Sequence, residues 1–143
     1  MSGSVTALAN GNNVDANGLN SNFNALNNPQ IFFTTPNNII NSVSFTSGQV
    51  QTFTAWGTGG VPSNAVGILI NTSYTSATVG ANCTFSPHGG TTGHYVTNGN
   101  IQVTNQFCNM FAIVPLDAVA GQFDVKSVSG AGNVNAWMFG YVF

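Results

Sequence analysis

Apolar and polar residues alternate along most of the chain after about Ile39, and a period of two residues is typical of a β-strand. The last run has two apolar faces, with Val134, Ala136, Met138 and Val142 on one and Trp137, Phe139, Tyr141 and Phe143 on the other. Clusters of Gly, Ser, Pro and Asn separate about eight or nine such runs. The pattern predicts an all-β fold with a single β-sandwich or jelly-roll domain over residues 42–143.

The segment before this domain, residues 1–41, contains twelve of the 21 Asn and two of the five Pro. Because Asn and Pro disfavour continuous helix or strand, we expect an extended N-terminal arm for docking or oligomerisation. One short helix is predicted within it, since Asp15 is a good N-cap and Leu19, Phe23 and Leu26 recur at i, i+4 and i+7. About three turns with one apolar stripe are not stable alone, so the stripe should pack on the domain or on neighbouring subunits.

Charged side chains make up 3% of the chain, whereas an ordinary domain has about 25%. With one Lys, no Arg and a net charge of −2, the protein cannot neutralise nucleic-acid phosphates or form a polybasic membrane anchor. No apolar run approaches the ~20 residues that span a bilayer, and the first residues lack the features of a secretory signal. We therefore expect no nucleic-acid binding, no membrane insertion, and synthesis as a soluble cytoplasmic chain.

The scarcity of charge also predicts self-association. Net charge keeps free monomers apart, and this chain has little of it. Such a surface is better tolerated when an assembly buries much of it, and the resulting contacts should depend weakly on salt. The alternative is a monomer whose surface is simply rich in Ser, Thr and Asn.

Residues 13–26 resemble a D-A-x-x-L-N-x-x-F-x-x-L stretch that is common near the N-termini of phage tail-fibre and related virion proteins. The matching residues are Asp15, Ala16, Leu19, Asn20, Phe23 and Leu26. In those proteins the stretch forms a short attachment segment. The resemblance therefore implies an attachment or oligomerisation role for Asp15, Leu19, Phe23 and Leu26.

Residues 61–72, followed by Phe85-Ser86-Pro87 and Phe139-Gly140-Tyr141, are similar to β-sandwich modules of bacterial surface and phage proteins. Such modules display or bind rather than catalyse. Together the two resemblances imply a small virion protein with an N-terminal docking arm and one displayed β-domain.

Few residues suit catalysis, because the chain has three Asp, two His and no Glu. A paired-carboxylate site would require Asp117 and Asp124, which flank a predicted turn at Gly121. A Ser-His-Asp arrangement could use His88 or His94, but no nucleophile-elbow motif accompanies either residue. We expect a protein that is not an enzyme and needs no cofactor.

Cys83, His88, His94 and Cys108 carry atoms that bind zinc, but their spacing matches no closed tetrahedral pattern. One His from each of three subunits on a symmetry axis could also bind an ion. The alternative is an ordinary loop His in the Gly-rich segment from Pro87 to His94. A Cys83–Cys108 disulfide would close a loop of about 26 residues. Since the cytoplasm is reducing, two thiols are favoured over a bridge. Because the ligand spacing fits no closed site, no metal is expected.

Aromatic side chains suggest one further role, because rings can stack on a sugar. The candidates are Trp56, Tyr74, Tyr95, Trp137 and Tyr141. Most aromatic residues of a β-sandwich belong to its core or to a subunit interface. Trp56, beside the Gly57–Gly60 loop, and Tyr95 are the residues proposed to contact a ligand.

These observations predict a structural virion protein, either a capsid decoration (cement) protein or a head-fibre component. Its arm should dock on the major capsid protein or another virion component, and the expected state is a homotrimer. The alternative is a tail-fibre or baseplate-associated adhesin that binds a host surface glycan. Either hypothesis places the protein on the virion surface after synthesis in the host cytoplasm.

Overall fold

The computed structural model describes residues 30–90, 96–97 and 100–143, with the backbone alone at 96–97. The strands are β1 (Gln30–Phe45), β2 (Val50–Thr54), β3 (Gly67–Ser76), β4 (Asn82–Pro87), β5 (Val96–Thr97), β6 (Phe107–Pro115), β7 (Gln122–Ser129) and β8 (Gly132–Val142), with a short 3-10 helix at Thr58–Gly60. No helix within these ranges is long and apolar enough to cross a bilayer.

The strands form two four-stranded sheets. The first sheet has the order β1-β8-β3-β6 and the second has the order β2-β7-β4-β5, with antiparallel pairing throughout. Consecutive strands change sheet at every connection except that from β4 to β5. This nested order is that of a jelly roll, which confirms the predicted all-β sandwich fold.

The core lies between the sheets and comes from alternate residues of each strand. Its largest fully buried side chains include Tyr74, Phe85, Phe123, Ile68, Ile70 and Met138. In β8 Val134, Ala136 and Met138 share one face, as predicted, and that face is buried in the core. The alternation then changes, because Leu69 pairs with Gly140 while Ile70 pairs with Met138, so Phe139 is the extra residue of a β-bulge. Beyond the bulge Tyr141 packs against the core, so the prediction that Val142 shares a face with Val134, Ala136 and Met138 was wrong.

The predicted boundary between residues 41 and 42 falls inside β1. This strand pairs with β8 from Gln30 to Phe45, and Ile40 is fully buried in the core. The strand lies at a sheet edge and has three register shifts, where Pro36 and several Asn are accommodated without breaking the sheet. Residues 30–41 are therefore part of the sandwich. The rest of the arm lies outside the described residues and stays a prediction.

Candidate functional site

The outer surface of the first sheet carries an exposed group of large apolar side chains, which we call the aromatic face. Its members are the exposed Phe32, Phe111, Ile113 and Trp137, the half-buried Phe139, and Leu69, of which only 3% is exposed. Five of them point outward because they alternate along their strands with residues that pack on the core, whereas Phe139 is the extra residue of the bulge in β8. The exposed fractions are 62% for Phe32, 59% for Phe111, 45% for Ile113 and 37% for Trp137.

Register places these side chains in two rows across the four strands. One row runs Phe111, Asn71, Trp137, Asn38, and the other runs Ile113, Leu69, Gly140, Phe32. Neighbouring strands are about 4.8 Å apart, so the Trp137 and Phe111 backbones lie about 10 Å apart on either side of Asn71. Phe139 links the rows, since its ring meets that of Phe111 edge-on at 6.0 Å. The face is thus continuous, and amide groups lie between its rings.

The first sheet has no charged residue in any of its four strands. Polar groups border the aromatic face instead, because Asn135 Oδ1 accepts hydrogen bonds from the backbone N–H of Ser42 at 2.8 Å and from its hydroxyl at 3.1 Å. Asn133 Oδ1 accepts a hydrogen bond from Ser44 Oγ at 2.7 Å. A partner that covered this face would therefore desolvate apolar surface without burying an ion.

All the charges within the described ranges belong to the second sheet or to the loop before β7. Asp124 of β7 accepts a hydrogen bond from Thr52 Oγ1 at 2.7 Å and lies 2.9 Å from His88 Nδ1. The backbone N–H of Gly89 donates to its other carboxylate oxygen at 3.2 Å. Burial acts to raise the pKa of Asp124, but these hydrogen bonds outweigh it and keep that pKa below its usual value.

Asp117 organises the turn that precedes β7. Its carboxylate accepts hydrogen bonds from the backbone N–H groups of Val119 at 2.8 Å, Ala120 at 2.7 Å and Gln122 at 2.6 Å. Burial acts to raise the pKa of this carboxyl, and the three N–H donors bring it below the usual range. Each carboxylate thus has its own partners, and Asp117 and Asp124 are joined by no hydrogen bond that the structure describes.

The His88–Asp124 pair has the hydrogen bond by which a carboxylate orients an imidazole in hydrolases. A nucleophilic site also requires a hydroxyl on the other ring nitrogen, whereas the Thr52 hydroxyl lies 3.3 Å from Nδ1, the same nitrogen that faces Asp124. No three His, Cys, Asp or Glu residues come together as a metal site in the part of the chain with assigned positions. The cluster anchors the start of the loop after β4 through the hydrogen bonds of His88 and Gly89 to Asp124.

The Trp56 side chain is held in place by a hydrogen bond and by packing on the core. Its indole N–H donates to the Ala65 carbonyl at 3.0 Å, and the half-buried ring packs on the core. The ring also occupies the space beside Gly121 that a side chain there would need, and Gly121 has a φ of 63°. A ligand role for Trp56 stays a prediction. Tyr95 lies outside the described residues, as do His94, Asp15, Leu19, Phe23 and Leu26.

Cys83 and Cys108 form no disulfide in the structure. Cys83 is buried in β4, and Cys108 is half-buried in β6. Tyr74, another aromatic candidate, is fully buried, and its hydroxyl lies 3.2 Å from Ser127 Oγ. Cys83 and Tyr74 therefore contribute nothing to an exposed surface.

The aromatic face went unrecognised in the sequence, although a signal was present. β6 and β8 have apolar residues on both faces of the alternation, and only one face of a strand can point into a two-layer core. Trp137 was considered as a sugar-stacking residue, whereas Phe32, Phe111 and Ile113 were not. Their outward positions follow from the order of the strands, which alternation alone does not specify.

No protein-family model and no curated protein matches the chain. Among solved structures, the chain is similar to the C-terminal CBM6 of LamC, a marine laminarinase from Zobellia galactanivorans. The identity is 15% and the TM-score 0.42, over 77% of this chain and 97% of that one. It is also similar to the carbohydrate-binding module CBM6cm-2 of Cellvibrio mixtus lichenase 5A in complex with cellotriose. Here the identity is 16% and the TM-score 0.38, over 80% of this chain and 96% of the other.

Proposed function

We propose that this protein is a structural component of a virion surface, a capsid decoration or head-fibre protein, which joins neighbouring subunits through its aromatic face. The observation that carries the proposal is an exposed apolar surface on a sheet without charge. For residues of about 200 Å² each, the exposed fractions of Phe32, Phe111, Ile113 and Trp137 add to roughly 400 Å². The largest apolar patch of a typical monomer has about 300–600 Å² and is often functional.

The location of the charges supports an orientation for the displayed domain. An assembly that buries the first sheet would leave the second sheet, with Asp124 and Lys126, facing solvent. The buried side would then be held by apolar contacts, and the solvent side would keep the ions hydrated. The resemblance of residues 13–26 to virion attachment segments supports the virion location, with the segment before Gln30 as a second point of attachment.

The test is attachment to virus particles that lack this protein, measured by co-sedimentation. The variant Phe32→Asp places a carboxylate on the aromatic face, where docking would bury an unpaired charge at a cost of several kcal/mol. Val119→Asp is the matched control, because Val119 is 89% exposed in a loop outside the first sheet. We expect the control to attach like the wild type and Phe32→Asp to remain in the supernatant. Equal attachment of both variants would contradict the proposed docking surface.

A second candidate function is recognition of a host surface glycan by a tail-associated adhesin. The row Phe111, Asn71, Trp137, Asn38 favours it, since aromatic rings stack on sugar faces and amides between them can bond sugar hydroxyls. A glycan array would test it with the wild type and the variant Asn71→Ala. Binding that is lost with Asn71→Ala would support an adhesin. Absence of binding to any glycan would leave only the structural role.

A further inference from the structure

The exposed edge of β6 is the second unusual feature of the first sheet. β6 is the last strand in the order β1-β8-β3-β6, and its ladder partner is β3. Within the described ranges, no backbone hydrogen bond joins residues 107–115 to any other segment. In the part of the chain that the structure describes, one side of this nine-residue strand therefore presents its backbone N–H and C=O groups without a strand to pair with.

Natural sheets usually have features that prevent an edge strand from pairing with another chain, and β1 at the opposite edge has such features. It contains Pro36 and has three register shifts, so its outer side is irregular. β6 has no charged residue, no register shift, and a proline only at its last position, Pro115. A long, regular and uncharged edge is a template for pairing with another strand.

From these observations we infer that β6 pairs antiparallel with β6 of a second copy, which joins the two first sheets into one eight-stranded sheet. The inference rests on the proposed function, since it specifies how the aromatic faces of two subunits become one surface. With the two-fold axis at Phe111, the strand is complementary to itself. Phe107 then lies opposite Pro115, Asn109 opposite Ile113, and Phe111 opposite Phe111.

A second copy fits this edge better than a charged partner. Apolar residues face apolar residues in every pair of this register except those of Asn109. Since β6 contains no charged side chain, the pairing brings no like charges together. Pairing also buries part of Phe107, Phe111 and Ile113, which are among the most exposed apolar residues of the molecule. An isologous pair of this kind closes at two subunits, so it predicts a dimer where sequence analysis predicted a trimer.

The first test is the mass of the free full-length protein by size exclusion with light scattering at about 100 µM. We expect twice the chain mass of 14.8 kDa for the wild type. Phe111→Lys places two like charges directly opposite each other and should weaken dimerisation at least about 100-fold. Val119→Lys is the control, because it adds the same charge at an exposed loop position and should remain dimeric.

Disulfide trapping tests the register. In a Cys108→Ala background, Phe111→Cys places one new cysteine on each strand directly opposite the other. Their Cα atoms would be about 4.5–5.5 Å apart, a distance that a disulfide spans. Asn109→Cys is the control on the same face of the same strand. Its two copies would be four residues out of register, about 14 Å apart, and beyond reach. Mild oxidation should give at least about tenfold more covalent dimer from Phe111→Cys.

Three results would overturn the pairing: a monomeric or trimeric wild type, a dimer unaffected by Phe111→Lys, or equal trapping at both positions. These results are separable from a failure of the proposed function. A monomer that still attaches to particles through Phe32 would refute the edge pairing and leave the docking surface standing. A trapped dimer that fails to attach would do the reverse.

Discussion

Replacement of Ile40 by Ala tests where the folded domain begins. Ile40 has 1% of its surface exposed and lies opposite Ala136, in a segment whose sequence indicates an arm. The change removes three carbon atoms, worth about 2.4 kcal/mol at about 0.8 kcal/mol each. The remaining cavity adds to this, so the unfolding free energy should fall by about 2–5 kcal/mol. For a domain of this size that corresponds to a melting temperature about 10–20 °C lower.

Urea denaturation and thermal melting measure this effect directly. Asn41→Ala is the control, because Asn41 is the exposed neighbour on the same strand and its loss should change stability by less than about 0.5 kcal/mol. Deletion provides a second comparison. A chain that starts at Gln30 should remain folded, whereas one that starts at Ser42 loses most of β1 and should not. If Ile40→Ala and Asn41→Ala were equally stable, residues 30–41 would be an arm after all, and the assignment of β1 to the core would be refuted.

Three further predictions concern charge and packing. The lowered pKa values of Asp117 and Asp124 stabilise the fold above the ordinary pKa of 3.8, and this contribution is lost as pH falls through the lowered values. Asp117→Asn should therefore melt lower than the wild type at pH 7, and thermal melting should show a smaller difference at pH 2. Assembly should persist from about 50 mM to 1 M NaCl, since the first sheet has no charge to screen, and sedimentation across that range would reveal any loss. Gly140→Ala should lower the melting temperature, because a methyl group there would overlap the backbone carbonyl of Ile31.

The fold class was predictable because burial on one face imposes a period of two. This reasoning predicted about eight or nine strands, of which the described residues form eight, and it grouped Val134, Ala136 and Met138 correctly on one face of the last strand. It failed after Met138, because the bulge at Phe139 depends on the pairing with β3 and cannot be seen in the sequence pattern. It also missed the first twelve residues of β1, because Asn and Pro are tolerated at an irregular edge that sequence alone does not reveal.

The candidate site was predictable only in part. The low charge indicated apolar assembly contacts. The face that would supply them could not be identified without knowing the order of the strands in the sheet. Phe32, Trp137 and Phe111 are far apart in sequence and are brought into two rows by β8 and β3. The His88–Asp124 pair likewise joins residues 36 positions apart, with no local motif that links them.

The central claim is that the first sheet is the buried side of the protein in its assembly. Cryo-electron microscopy of the particles that contain the chain tests this most directly. The proposal predicts that Phe32, Trp137 and Ile113 contact a neighbouring subunit, while Lys126 on the second sheet faces solvent. A reconstruction with the aromatic face open to solvent and the second sheet against the particle would contradict it.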